Sequence, residues 1–341
     1  MMRAVTLKGF GGVDKMAVAE VPMVTIKKST DVLINVMAAG VNRADLSQRR
    51  GHYPPPPGAS DIMGLEVAGV VAQVGSGVDN GIKEGDKVMA LLPGGGYADY
   101  AVAHMGCVMP IPQGYSFTEA AVIPETFITA WQTLKRHGKV MPGQRVLIHA
   151  GASGIGSACA QITEKYFKAT AITTSSEDKL DICKGYASVN LSRTKDKAGW
   201  SFAPKVKKLF GEESIHVIVD PVFGGTYLNE NAQVLAPNGH LVVLAFMGGS
   251  QVQINALPFY REQAQITFTK LRCRRDDYKT MLVKSFEKEV IPYMNERIIA
   301  PIISHRFRLE EVAAAHTYIE ENRGYGKVVL SMSDTSRHSI A

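Results

Sequence analysis

Residues 145–156, Arg-Val-Leu-Ile-His-Ala-Gly-Ala-Ser-Gly-Ile-Gly, carry an apolar strand into a glycine-rich turn. A turn of this kind keeps side chains out of the way. Backbone N–H groups can then close on a pyrophosphate, and the helix that follows adds its positive N-terminal end. Gly151, Ser153 and Gly156 stand at the three fingerprint positions of a dinucleotide-binding βαβ unit, with Gly154 beside the serine. A glycine pattern alone carries little weight. Here a strand precedes it, a helix is expected over 158–166 and a second strand over 169–173, which is the context the pattern needs. Ser153, Gly154, Ile155 and Gly156 are therefore expected to line a pyrophosphate.

The end of that second strand selects the nucleotide. A chain built for NAD places Asp or Glu there to bond the ribose 2′-hydroxyl. This chain has Thr173-Thr174-Ser175-Ser176, then Lys179, with Arg193 near the end of the next strand. Hydroxyls and cations suit a 2′-phosphate, which a carboxylate would repel. Glu177 and Asp178 fall in the first turn of the following helix, where acids favour the dipole. NADPH is expected over NADH, with Ser175 and Lys179 reading the phosphate.

A chain of 341 residues exceeds a comfortable single core, so two domains are expected. Its apolar runs are too short for a membrane span, and its N-terminus lacks a signal-peptide core. Cys107, Cys159, Cys183 and Cys273 lie far apart with no CxxC pair, which argues against a disulfide framework and a zinc ribbon and fits a reducing cytoplasm. The net charge of +6 is densest at Arg272, Arg274 and Arg275. No zinc-finger spacing or RNA-binding aromatic signature accompanies it, which disfavours nucleic acid.

The first third alternates in the manner of strands, over 32–36, 67–74, 87–91 and 97–102, with Gly and Pro turns between them. That pattern predicts an irregular β-rich barrel over 1–126. Strand–helix alternation then predicts a doubly wound parallel sheet over 127–267, with strands at 145–148, 169–173, 188–191, 216–220, 240–246 and 265–269. Two amphipathic helices (278–295 and 309–321) and a strand at 327–331 are expected to return to the first domain over 268–331. A disordered tail is expected over 332–341.

Several long stretches match one family in one order. They are Gly-Val-Asn-Arg-Ala-Asp-Leu at 40–46, Gly-His-Tyr-Pro-Pro-Pro-Pro-Gly at 51–58, Gly-Leu-Glu-Val-Ala-Gly-Val-Val at 64–71, Ile-Pro-Glu-Thr-Phe-Ile-Thr-Ala at 123–130 and the turn at 149–156. Together with Gly248-Gly249 after Phe246-Met247, they make the chain resemble the medium-chain dehydrogenase/reductase superfamily, in its zinc-free, zeta-crystallin-like quinone oxidoreductase branch. The resemblance implies a GroES-like barrel with an inserted Rossmann sheet. Zinc relatives need a thiolate and an imidazole, but the matching positions carry Asn42 to Asp45 without Cys, and Leu65. The cysteine-rich lobe is also missing between Leu91 and Gly96. No metal is expected, so an acceptor is required whose own conjugation takes the hydride. Quinones and activated double bonds qualify.

The resemblance implies that Asn42, Tyr53 and Thr129 meet the nicotinamide and the acceptor, with Tyr53 able to donate to the oxygen gaining charge. Phe246, Met247 and Leu271 are expected to wall the nicotinamide, and Asn322 and Lys327 to lie near the cofactor. Relatives usually carry Tyr where this chain has Leu191, and Arg193 is expected to compensate in gripping the phosphate. A homodimer through an edge strand is also implied. Short-chain dehydrogenase chemistry is disfavoured because no Tyr is followed four later by Lys, and a serine elbow because position 155 is Ile. Two alternatives stay open: a reductase of enones, alkenals or enoyl thioesters, and a nucleotide-bound structural or RNA-binding protein of zeta-crystallin type.

Overall fold

The computed structural model describes residues 1–195 and 199–332. They divide into two compact units. One holds residues 1–128, 271–296 and 301 onward; the other holds 129–270 with the short return Arg297–Ala300. That return interrupts the single closing segment expected over 268–331. Of the expected tail, residues 333–341 lie outside the described residues. Met332 instead is buried, and its N–H donates to Met37 O at 3.1 Å.

The first unit is built on a seven-stranded sheet. Its path runs Ile303–Arg308, Lys327–Ser331, Asp31–Val41, Glu66–Val74, Lys87–Leu91 and Val108–Pro110, and Tyr100–His104 also pairs with Asp31–Val41. Alternation drives the central strand: Val32, Ile34 and Val36 share one core with Val67, Val71 and Val88. The pairing of Asp31–Val41 with Glu66–Val74 shifts register twice, which bends the sheet toward a barrel. At Gly69 a Cβ would lie 2.0 Å from Asn35 O, so only glycine fits there. The hairpin Met2–Leu7/Met16–Val21 and the strand Ile303–Arg308 were not expected from sequence. The helix expected over 278–295 is two, Asp276–Glu289 and Ile291–Asn295, because Pro292 cannot continue the first one.

The second unit is a Rossmann sheet of six parallel strands. Their order is Val189–Ser192, Thr170–Ser175, Arg145–Ile148, Ile215–Asp220, Leu235–Val243 and Gln265–Phe268. The chain therefore winds outward from Arg145–Ile148 in both directions, and the glycine turn leaves this central strand at the switch point. The fifth strand corrects the expected 240–246. It starts at Leu235 and ends at Val243, so Phe246 and Met247 sit in the following loop. Pro237-Asn238-Gly239 reads as a turn, but it is a bulge inside the strand. Asn238 takes φ +59°, its N–H donates to Glu262 O, and the pairing jumps from Ile215↔Leu235 to Val217↔His240.

Candidate dinucleotide site and buried acid cluster

In the second unit Ser153 caps the helix Gly154–Gln161: its Oγ accepts the Gly156 N–H at 3.1 Å. The other first-turn N–H groups have no carbonyl within the helix to bond, which leaves them for an anion. Two glycines allow the tight approach. A Cβ on Gly156 would meet Ala150 O at 2.4 Å, and one on Gly151 would meet Thr173 Cβ at 2.4 Å. Ala150 carries the turn itself at φ +52°.

A buried network under this turn was not found from sequence. His149 Nδ1 lies 2.8 Å from Thr174 Oγ1, and its Nε2 lies 2.7 Å from Asn231 Oδ1. Asn231 donates through Nδ2 to Asp220, so its Oδ1 is left to accept. That assigns the proton of His149 to Nε2 and makes Thr174 the donor to Nδ1. Burial holds the imidazole below its ordinary range, and therefore neutral. The network joins the carboxyl ends of three strands. No motif reveals it because His149, Thr174, Asp220 and Asn231 are spread along the chain.

The residues expected at a 2′-phosphate come together. Ser175 pairs with Ser192 across adjacent strands, and the Arg193 N–H donates to Ser175 O at 3.0 Å. The Arg193 guanidinium lies 4.5 Å above the Trp200 ring, and Nη1 donates to Tyr227 OH at 3.3 Å. Its Nε is buried without a partner. A hydrogen bond from Ser176, helped by Lys179 and Arg193, holds the Asp178 carboxyl below its usual range. Leu191, at the position where relatives carry Tyr, is buried in the core. Phe246 stacks with Phe268, and Met247 is half exposed beside it in sequence. Thr129 has a buried Oγ1 without a partner, on the helix Pro124–Trp131.

In the first unit the structure gathers side chains from four separated segments around Glu66, which is fully buried. Lys327 Nζ lies 2.8 Å from Glu66 Oε1 and donates also to Val41 O at 3.1 Å and to Asn42 Oδ1. Asn42 Nδ2 donates to Glu66 Oε1 at 3.0 Å, and the Glu125 N–H donates to Oε2 at 2.8 Å. Asp45 accepts from Asn42 N, Tyr97 OH and Gly64 N at 2.8, 2.8 and 3.3 Å, and burial pushes its carboxyl up to about 6. The role expected of Lys327 thereby changes. All three ammonium protons are used inside the protein, so Lys327 can act on a ligand only through Asn42, whose second Nδ2 proton remains available.

Tyr53 is half buried beneath Arg272, whose guanidinium lies 5.2 Å from the ring centroid. Burial raises the Tyr53 phenol to about 12. Arg272 is itself buried, donating to Pro93 O, Tyr53 O and Gln48 Oε1 at 2.7, 3.1 and 2.7 Å. Arg275 pairs with Asp277 at 3.0 Å, and Arg274 stacks on Tyr278. Of the basic triplet, Arg272 is thus buried while Arg274 and Arg275 stay exposed. Leu271 is buried, and exposed Asn322 accepts from Arg43.

Zinc does not fit this cluster. Leu65 has no donor, the Glu66 oxygens and Asn42 Oδ1 are already taken up as above, and no group of three His, Cys, Asp or Glu side chains among the described residues is arranged to hold a metal ion. Nor is any helix among the described residues long and apolar enough to cross a membrane.

Residues 28–113 match the alcohol dehydrogenase GroES-like domain and 193–330 the zinc-binding dehydrogenase domain. With the winding of the sheet, this places the chain among the medium-chain dehydrogenase/reductases. It is similar to a synaptic vesicle membrane protein VAT-1 homolog of Danio rerio, at 28% identity over 96% of this chain and 70% of the relative. It is equally similar to a quinone oxidoreductase of Pongo abelii, at 29% identity over 97% of this chain and 98% of the relative. A mycobacterial protein solved in complex with NADPH superposes with a TM-score of 0.85 at 26% identity, over 97% of this chain and 100% of that one. The chain belongs to the quinone oxidoreductase branch of the superfamily.

Proposed function

We propose that the protein is an NADPH-dependent quinone oxidoreductase that needs no metal. One observation carries the cofactor choice. Arg193, whose Nε is buried and unpartnered, is joined through its backbone N–H to Ser175 O at the strand end where an NAD-binding chain would have a carboxylate. The first turn from Ser153 to Gly156 would hold the pyrophosphate, and Ser175, Lys179 and Arg193 the 2′-phosphate. When bound, the reduced nicotinamide supplies a hydride. Asn42 keeps one amide proton for an oxygen of ribose or acceptor, in an orientation locked by Lys327 and Glu66. Thr129 offers its unpartnered hydroxyl to the carboxamide side, and Phe246 and Met247 offer apolar cover. Because Glu66, Asn42 Oδ1 and Lys327 are committed to one another, an acceptor that delocalises the incoming electrons suits the residues present.

The exposed aromatic and aliphatic side chains Tyr260, Leu257 and Phe268 stand on or near the edge strand Gln265–Phe268, which supports pairing with a second copy. Free cysteines, three of them buried, support a cytoplasmic setting. The test of function is NADPH consumption by the purified chain with a panel of quinones, against alkenals and enoyl thioesters. Faster turnover of an enone than of every quinone would displace the reading. NADH accepted as well as NADPH would remove its cofactor half.

A further inference from the structure

We infer that Glu125 is the group that hands a proton to the reduced acceptor. The inference rests on the reductase reading above and replaces Tyr53 in that role. It starts from an imbalance inside the buried cluster. Glu66 has Lys327, Asn42 and the Glu125 N–H on its two oxygens, and Asp45 has three donors. Glu125 has spent its own backbone N–H on Glu66, while its Oε2 is buried with no partner. A carboxylate left that way is costly, and such an orphan calls for an explanation.

The surroundings decide its protonation. Burial comes first, and the fixed charge of Glu66 second. Asp45 adds to the push, while Lys327 and Arg272 oppose it; the carboxyl is pushed up to about 8. Lys327 cannot neutralise Glu125 directly, because its protons are already committed to Val41, Asn42 and Glu66. At neutral pH Glu125 is therefore an uncharged O–H donor. Tyr53, the donor that the resemblance suggested, is held near 12 by burial. An acid close to the working pH transfers a proton more readily than one several units above it.

The balance of the step is simple. Hydride arrival gives the acceptor two electrons and one hydrogen nucleus, leaving it with one negative charge. The Glu125 O–H bond breaks, a new O–H bond forms on the acceptor oxygen, and Glu125 remains as a carboxylate. Solvent restores its proton before the next turnover.

The experiment compares wild type with Glu125→Gln in the full chain. With the preferred quinone at pH 7, E125Q is expected to lose roughly 10²-fold in kcat, the lower end of what a general acid contributes. NADPH binding, followed by fluorescence, should stay unchanged. Wild-type kcat should fall above about pH 8, and that alkaline limb should vanish in E125Q. Infrared spectra of the cofactor-free protein supply a readout without turnover: a carboxylic-acid carbonyl band that disappears through the same pH range and is absent from E125Q. A merely structural Glu125 would leave the alkaline limb in place. Wild-type kcat with an intact limb in E125Q would overturn the inference and leave the reductase reading standing. A wild type inactive toward every acceptor would sink both, even with the infrared band present. If E125Q does not fold, Glu66→Gln serves instead, because removing the neighbouring charge should move the limb to lower pH. A limb that stays put would count against Glu125.

Discussion

The glycine turn of the second unit and the acid cluster of the first prepare for ligands by opposite means. The turn, with the strand before it and the start of the helix after it, lies within twelve consecutive residues, 145–156, and it works through backbone N–H groups that remain unbonded because of where a helix begins. The cluster joins Asn42, Glu66, Glu125 and Lys327 from four distant parts of the chain and works through side chains, nearly all of them already bonded to each other. The first tolerates exchange of most side chains but no added bulk. The second tolerates no unpaired charge. In the proposed function the turn would grip a dinucleotide through its backbone, and the cluster would hold Asn42 and Glu125 through side chains.

The largest expected effect breaks the cluster. Lys327→Met would strand Glu66, fully buried, without its cation, and breaking a buried pair in this way costs about 3–5 kcal/mol. Chemical denaturation should show that loss. The double change Lys327→Met with Glu66→Gln should recover most of it, because the uncompensated charge is then gone. Failure of the double variant to recover would mean that the cluster is held by packing rather than by charge.

The turn should break through volume instead. Gly156→Ala pushes a methyl toward Ala150 O at 2.4 Å, a backbone atom that cannot swing aside. A loss of about 1–3 kcal/mol is expected, with weakened binding of NADPH and NADH alike. Calorimetry that finds one nucleotide spared would contradict a role at the shared pyrophosphate. Arg193→Ala sharpens the cofactor side. Losing a charge-assisted bond worth about 1.5–3 kcal/mol should weaken NADPH by about tenfold or more and leave NADH nearly unchanged. Equal weakening of both would remove the 2′-phosphate assignment. The smallest effect belongs to Ser153→Ala, which deletes the cap on Gly156 N–H and should cost about 1 kcal/mol of stability in thermal unfolding.

Legibility followed the same division. Six parallel strands and the glycine turn could be read because each depends on neighbours in sequence: an apolar run followed by a turn. The fifth strand begins earlier than expected because Pro237-Asn238-Gly239 has turn chemistry, whereas pairing of Leu235 and His240 with the same neighbouring strand keeps it in the sheet as a bulge. The resemblance pointed to Lys327, but its partners could not be read, since a lone lysine in a strand gives no sign that Val41, Asn42 and Glu66 await it. Burial divides the basic triplet in a way its charge does not reveal. Arg272 counts toward net charge as any arginine does, yet it is buried with its donors spent on Pro93, Tyr53 and Gln48. His149 looked like part of a motif and proved to be the middle of a hydrogen-bonded network beneath it.

Local chain chemistry by itself determined the doubly wound sheet, the anion-receptive turn and the absence of a carboxylate at the strand end. Those depend on backbone geometry and on residue order over short stretches, where covalent connection does the placing. Tertiary structure alone decided which carboxyl keeps a cation and which is left without one. That choice depends on burial and on distances of a few ångströms between segments far apart in the chain. In a water-poor interior such distances govern the energy of every charge.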